Sequence, residues 1–311
     1  MGDGIFLLIP ILFPIVAGLV VFAINHRIAR QIYVGTVLVL NAIAVFLFSF
    51  LTETSSFTLW KFSDSLSITF RFDGVGKIFA CLIAVIWTVA CIYAFEYMKH
   101  EGKEKRYFGF AVMTVGVLTG LSMAGNLMTM YMFYEFMTLI TVPLVIHSQG
   151  RDALKAGLKY LGYSVFGAGL TLIGFFFLNS YGTGTMFTEG GVLDMAKEAG
   201  NENALLAIFL VMIIGFGCKA GMMPLQAWLP TAHPVAPAPA SAVLSGIITK
   251  AGILGMIRVT FYLFNPDFLR GTWAQLTIII LALATVFVGS MLAYKEQLLK
   301  KRLAYSTVSQ V

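Results

Sequence analysis

Nine apolar runs divide this sequence from end to end. Each is close to the twenty residues that a helix needs to cross a hydrocarbon core of about 30 Å. They fall near 5–24, 31–51, 76–98, 107–124, 127–147, 157–180, 204–223, 240–263 and 273–293, and a tenth begins near 303. Lipid offers no partner to a backbone N–H or C=O, so runs of this length must close their hydrogen bonds internally, as helices. Of the 311 residues, 59% are hydrophobic and 12% are charged, against about 25% charged in a soluble domain. The spacing predicts an all-α polytopic membrane bundle of about 9–10 transmembrane helices, the seventh of them discontinuous.

Lys and Arg set the expected orientation. The odd-numbered connections carry thirteen of them: Arg27, Arg30, Lys99, Lys103, Lys105, Arg106, Arg151, Lys155, Lys159, Lys295, Lys300, Lys301 and Arg302. The even-numbered ones carry five: Lys61, Arg71, Lys77, Lys197 and Arg270. The bias predicts a multi-pass protein of a prokaryotic plasma membrane with its N-terminus outside. It also accounts for the net charge of +6, so the basicity reports topology and excludes a nucleic-acid partner. Asp3 and the lack of a basic leader predict an uncleaved first helix.

Chemistry is sparse in the rest of the chain. Cys81, Cys91 and Cys218 form no CxxC pair, and Cys81 and Cys91 lie about 15 Å apart along one helix, too far to bridge. His26, His100, His147 and His233 are scattered, with no helical metal spacing. No nucleotide loop, GxSxG or dinucleotide fingerprint occurs, and the expectation is no metal and no cofactor in this chain.

Against that background three ionisable residues stand inside apolar runs: Glu135 in LMTMYMFYEFMTLITVPLVI, Lys219 in FLVMIIGFGCKAGMMPLQAW and Lys250 in SAVLSGIITKAGILGMIRV. A lysine at the bilayer centre costs about 2.5–3.5 kcal/mol on insertion scales, and the default reading of such residues is an ion or proton pathway. Gly221 and Pro224 follow Lys219, and a proline removes a helix donor. The seventh helix should therefore break near 220–224, a feature tolerated where it lines a cavity. The carbonyl end of the first half would favour the Lys219 cation.

Thr231 to Ser241 contains three prolines and is expected as a rigid turn, with Ser241 capping the eighth helix. On that helix Ser241, Ser245 and Thr249 recur every four residues beside a stripe of Gly246, Lys250, Leu254 and Arg258. On the fifth, Tyr131, Glu135 and Thr138 share a face. His147, His233, Ser245, Thr249, Tyr131 and Thr138 are the candidate lining of a proton path. Plainer readings stand beside these. Glu135 and Lys219 could form a buried pair that only fixes register. Lys250 could snorkel, and for Arg258, near a helix end, snorkelling is the favoured reading. His147 reads equally as a solvated histidine or a proton-uptake point, and His233 is similar. Glu96 reads as interfacial, and the Gly116–Gly120 GxxxG as helix packing. Residues 67–73 alternate with period two, as a short strand would. Residues 180–203 form an acidic outer loop, and 151–160 an amphipathic segment along the inner interface before the sixth helix.

Lys219 to His233 resembles the K-x-x-x-x-P-x-x-x-W-L-P-x-A-H signature of antiporter-like subunits of respiratory complex I, Mrp-type antiporters and membrane-bound energy-converting hydrogenases. Ala236 to Ala242 ahead of Lys250 resembles the next element, A-P-x-P-x-S-A. Tyr134-Glu135 matches the W/Y-E of the fifth helix, and Lys300 to Gln310 resembles K-R-x-L-A-Y-S-T-x-S-Q. The likeness runs over roughly residues 65–311, and its wording leans toward the hydrogenase and Mrp branches. The resemblance implies proton transfer by Glu135, Lys219 and Lys250, with Glu135 and Lys219 as a coupling pair and Lys250 as the relay. It implies a non-redox subunit of an oxidoreductase-type translocase. Its partners would be lipid, other membrane subunits including further antiporter-like ones, and a peripheral redox arm. A sodium/proton antiporter subunit, with sodium held by Glu135 together with Thr138, Thr141 or backbone carbonyls at the helix break, and a structural membrane anchor are the alternatives. The implied organisation is an N-terminal three-helix segment with its outer loop (1–106), a five-helix proton-translocating repeat (107–263), and a ninth helix opening an incomplete second repeat (264–311). The exit half of the pathway is thus expected outside this sequence.

Overall fold

A computed structural model describes residues 4–51, 55–63, 66–184, 186–194 and 199–311. Lys197, counted above with the outer connections, lies outside the described residues. All nine apolar runs are helical. A 3-10 turn, Ile5–Leu8, leads into α1 (Ile9–Val21) and then α2 (Arg27–Leu51). A hairpin follows, β1 (Ser55–Lys61) and β2 (Ser67–Phe72), before α3 (Gly74–Glu101), α4 (Glu104–Ser122), α5 (Leu127–Val145) and α6 (Arg151–Tyr181). Next come α7 (Glu202–Ala220), a 3-10 turn at Gln226–Trp228, α8 (Leu229–Val235) and α9 (Ala238–Val243). A π-turn, Leu244–Ile248, joins α9 to α10 (Thr249–Arg258), and a second, Val259–Leu263, follows it. After these come α11 (Pro266–Leu269), α12 (Trp273–Lys295) and α13 (Leu299–Ser309).

Among the described residues, seven stretches are long and apolar enough to cross a membrane: α2, α3, α5, α6, α7, the continuous Ala238–Leu263 span and α12. The protein is a polytopic helical membrane protein. Side-chain caps mark several starts: Asp73 accepts from Gly76 N at 2.9 Å and Asn126 from Thr129 N at 2.8 Å, each satisfying a donor that a helix N-terminus leaves free. The α4 helix is not among the seven because its 19 residues open on Glu104, Lys105 and Arg106 and are less apolar. From Tyr107 to Ser122 nearly every residue is buried, threonines and serine included. The Gly116–Gly120 pair makes this possible. A Cβ on Gly116 would lie 2.3 Å from the Ile11 carbonyl oxygen of α1, and one on Gly120 2.2 Å from the Phe133 ring of α5.

The connections sort strictly to two ends. At one, here the hairpin end, β2 bonds to the α4–α5 connection (Arg71 N to Met123 O, 2.7 Å), that connection to the next (Phe187 N to Gly125 O, 2.9 Å), and the next to the end of the eighth span (Val192 N to Leu263 O, 3.0 Å). At the other, the basic end, Arg27 and Arg30 meet Glu104, Lys105 meets Asn25, and Lys103 meets Gln149. The alternation matches the charge bias read from the sequence.

Three local expectations need correction, and a fourth, the strand at 67–73, is borne out over 67–72. Residues 151–160 are not a separate interfacial helix. They open the 31-residue α6, about 46 Å long at 1.5 Å per residue, whose basic first turns simply project past the hydrocarbon. The strand at 67–72 has an antiparallel partner in β1, paired Ser55 to Phe72, which the sequence pattern did not reveal. The 231–241 stretch is mostly helical: Pro237 caps α9 and Pro239 lies in its first turn, where a missing N–H costs nothing, and Pro234 falls inside the short α8, next to its last residue. Ser241 therefore lies inside α9 and does not cap it.

Candidate functional site

The break after α7 builds the site. Gly221 takes φ +92° as the C-cap, its N–H returning to Gly217 O at 2.9 Å, a left-handed cap that glycine adopts without a Cβ penalty. The chain then turns through Pro224 into α8, where Trp228 Nε1 donates to the freed Cys218 carbonyl at 2.8 Å and the indole packs 4.8 Å from the Tyr160 ring. Lys219 is thus held in the last turn of α7, fully buried.

Its ammonium has three N–H donors, and three hydroxyls take them: Thr138 Oγ1 of α5 at 2.6 Å, Ser164 Oγ of α6 at 2.9 Å and Tyr160 OH of α6 at 3.2 Å. The Tyr160 hydroxyl also bonds Thr141 Oγ1 at 2.8 Å. The Tyr160 and Tyr134 rings lie 4.6 and 5.3 Å from the ammonium, close enough for cation–π attraction. The expected Glu135–Lys219 pair is therefore not formed in this state. With three hydroxyl acceptors in place no ammonium hydrogen is left for the carboxylate. Glu135, one turn before Thr138 on α5, makes no ion pair among the described residues, and its buried Oε1 has no hydrogen-bond partner. Tyr131 is half-buried one turn further along.

Lys250 sits half-buried on α10, immediately after the first π-turn, and donates to Ser245 O at 3.1 Å. The same serine connects to the basic end: its Oγ lies 3.4 Å from His233 Nε2 and accepts from Thr307 Oγ1 of α13 at 2.9 Å. His233 Nδ1 meets Ser241 Oγ at 2.6 Å. These groups border a cavity of about 330 Å³ that also reaches Lys300, Ser306 and Gln310. Thr249 is turned inward, its hydroxyl bonded to Ser245 O at 2.8 Å. Glu135, Thr138 and Lys219 form one group, and Lys250, Ser245, Thr249 and His233 a second. His147 joins neither. It is buried at the basic end, not solvated, with Nε2 3.1 Å from Gly102 O and Nδ1 unpartnered. Burial holds its pKa below the usual imidazole value.

Sequence reasoning missed Tyr160, Ser164 and Thr307. Tyr160 and Ser164 did carry a signal, their spacing of four on the sixth run. It misassigned Arg258, which is 1% exposed and does not snorkel. Its guanidinium forks onto the Asp73 carboxylate, Nη2 to Oδ1 at 2.7 Å and Nη1 to Oδ2. A carboxylate 185 residues away is invisible to a helix-end argument. Among the described residues no three His, Cys, Asp or Glu side chains are grouped to hold a metal.

Residues 124–311 match the family model described as NADH:quinone oxidoreductase/Mrp antiporter, TM. The chain belongs to that family. In addition, residues 60–108 match the N-terminal model of chain 5 of NADH-ubiquinone oxidoreductase (complex I). Hydrogenase-4 component B of Escherichia coli is 33% identical over 257 residues, covering 81% of this chain and 36% of that protein. A Na(+)/H(+) antiporter subunit of Alkalihalophilus pseudofirmus is 27% identical, covering 98% of this chain and 62% of its own length. The chain thus spans from about a third to under two thirds of these relatives. Two solved structures share the fold at 20% identity and a TM-score of 0.79: a chain of an archaeal membrane-bound sulfane sulfur reductase and one of the Mrp complex from a Dietzia species. As an antiporter-like member of this family, the chain holds Lys219 in the hydroxyl cage described above.

Proposed function

We propose that this chain is the proton-translocating part of an ion-pumping membrane subunit in a redox-driven assembly of the hydrogenase or complex I kind. The observation that carries the reading is the buried Lys219 ammonium, caged by three hydroxyls at a helix break beside a carboxylate oxygen that lacks a partner. Burying an ammonium without an anion is costly. The cage makes it tolerable, and the nearby Glu135 supplies a second resting place for the same proton carrier.

Lys219 alternates between two positions. In one the hydroxyls of Thr138, Tyr160 and Ser164 hold the ammonium. In the other it closes on Glu135. At an effective dielectric of about 20, bringing opposite charges from about 8 Å to about 4 Å strengthens their attraction by about 2 kcal/mol, roughly a thirtyfold change in an equilibrium. Loosening the pair releases the proton toward Lys250, and Ser245, His233 and Thr307 lead from there to the cavity at the basic end. A motion in a partner subunit that shifts α5 against α7 would drive the change.

The sodium reading draws its oxygen ligands from Glu135 with Thr138, Thr141 or backbone carbonyls at the break. Both threonine hydroxyls are already engaged, one by Lys219 and the other by Tyr160, so the arrangement favours a proton. The same proposal includes a prokaryotic plasma membrane with the N-terminus outside. It also includes further antiporter-like subunits and a peripheral redox arm as partners. Vesicles containing the whole assembly, energised by its electron donor in sodium-free medium, test the ion. Acidification of the lumen is expected, and strict dependence on added sodium would replace this reading with the antiporter one.

A further inference from the structure

The Ala238–Leu263 span is not one uniform helix. Its ten-residue middle, α10 (Thr249–Arg258), is bounded by π-turns at both ends, Leu244–Ile248 and Val259–Leu263. A π-turn widens the helix by one residue, breaks the regular ladder and is frequent at functional sites. The middle is therefore a short cylinder between two soft joints, and something else must fix its rotation about its own axis.

At its start the fixing is slight: Lys250 makes one hydrogen bond, to Ser245 O within the π-turn. At its end the fixing is extensive. Arg258 forks onto Asp73, and its guanidinium carbon lies 5.0 Å from the Phe187 ring and 4.6 Å from the Tyr262 ring. Asp73 is itself held, since Oδ1 also accepts the Gly76 N–H that opens α3. Arg71 then donates to Phe187 O at 2.7 Å. A two-point fork fixes orientation as well as distance, so Asp73 dictates which way the end of α10 faces. The middle of α10 lies against α7 with almost no clearance. A Cβ on Gly252 would come within 2.7 Å of Ala220 N and Phe216 O, and one on Gly255 within 2.2 Å of the Phe216 ring. Ala220 is the neighbour of Lys219, so turning α10 moves Lys250 and presses on the backbone that carries Lys219.

We infer that Asp73 and Arg258 are positioning residues: their ion pair at the hairpin end sets the rotation of α10 and thereby aims Lys250 toward Lys219. The transport consequence rests on the proton-transfer reading above, whereas the geometric one does not.

The test uses the whole assembly in native membranes, with Cys81, Cys91 and Cys218 replaced by alanine and a single reporter cysteine, Lys250→Cys, modified by a small methanethiosulfonate. Adding Arg258→Lys, which keeps the charge but loses the fork, should change the modification rate about three- to thirtyfold, the range of 0.5–2 kcal/mol couplings. A reporter at Met291→Cys, on the far face of α12, should be unaffected. Asp73→Asn should act like Arg258→Lys, and Asp73→Glu should return the rate to within about twofold. With Lys250 intact, Asp73→Asn should slow proton translocation in assembled complex, and Asp73→Glu should restore it. Unchanged modification at Lys250→Cys in both Arg258→Lys and Asp73→Asn would overturn the inference, as would an equal change at Met291→Cys. If the rate at Lys250→Cys shifts while a Lys250→Gln assembly pumps normally, the positioning stands and the transport role of Lys250 falls.

Discussion

Three hydroxyls around one buried ammonium make a strong demand on residue identity. Thr138→Val or Ser164→Ala leaves a buried N–H of Lys219 without an acceptor, a loss of about 1–3 kcal/mol. Either change should slow proton translocation by about tenfold, at normal assembly level, in initial-rate measurements on vesicles. A wild-type rate in both would show that the cage is incidental. His147 joins neither group of the candidate site, and its burial bears on stability. Its Nδ1 is buried without a partner, and burial lowers its pKa. The unfolded chain therefore binds this proton more readily than the folded one. The contribution is fully present above the ordinary imidazole value of about 6.5 and is lost as pH falls below it. His147→Gln should flatten the decline in thermal stability between about pH 7 and pH 5. Lys219, Lys250 and Glu135 were legible in the sequence because a charge in an apolar run is conspicuous. Ser164 was not, since a serine hydroxyl in a membrane helix more often bonds the carbonyl a turn behind it, and Tyr160 was not, because residues 151–160 read as an interfacial segment. Arg258 was misread because its position near a helix end carried no trace of Asp73.

Among the elements, the broken helix was readable from Gly221 and Pro224, since glycine at a C-cap and proline just beyond it stop a helix for reasons local to the chain. The two π-turns were not readable. No residue type enforces them, and they flank a helix held by Arg258 at its end and by close packing on α7 at Gly252 and Gly255. The same holds for β1, whose sequence has no clean alternation and which pairs because β2 already lies on the α4–α5 connection. Gly221 offers a direct check on the break. A left-handed conformation costs a residue with a Cβ about 1–2 kcal/mol, and here the Cβ would also meet the Leu229 side chain at 2.2 Å. Gly221→Ala should lower the thermal midpoint of the purified assembly and reduce translocation together. An unchanged midpoint would mean that the turn relaxes freely.

For the molecule as a whole, the alternation of connections between the hairpin end and the basic end was visible in the Lys and Arg bias alone, because insertion reads charge before tertiary structure exists. The central place of α4 was not, because the spans could be arranged many ways without the glycine contacts that seat it. The proposed orientation predicts that Glu189→Cys, exposed at the hairpin end, reacts with an impermeant maleimide in intact cells, and that Lys155→Cys, exposed at the basic end, reacts only after the membrane is opened. The reverse pattern would invert the bundle. The central claim is that Lys219 carries the proton, and replacing it in the complete assembly tests that most directly. Proton uptake into energised vesicles should vanish in Lys219→Ala while the assembly forms at wild-type level and electron transfer continues. Proton translocation at the wild-type ratio to electrons transferred, measured in that same variant, would contradict it.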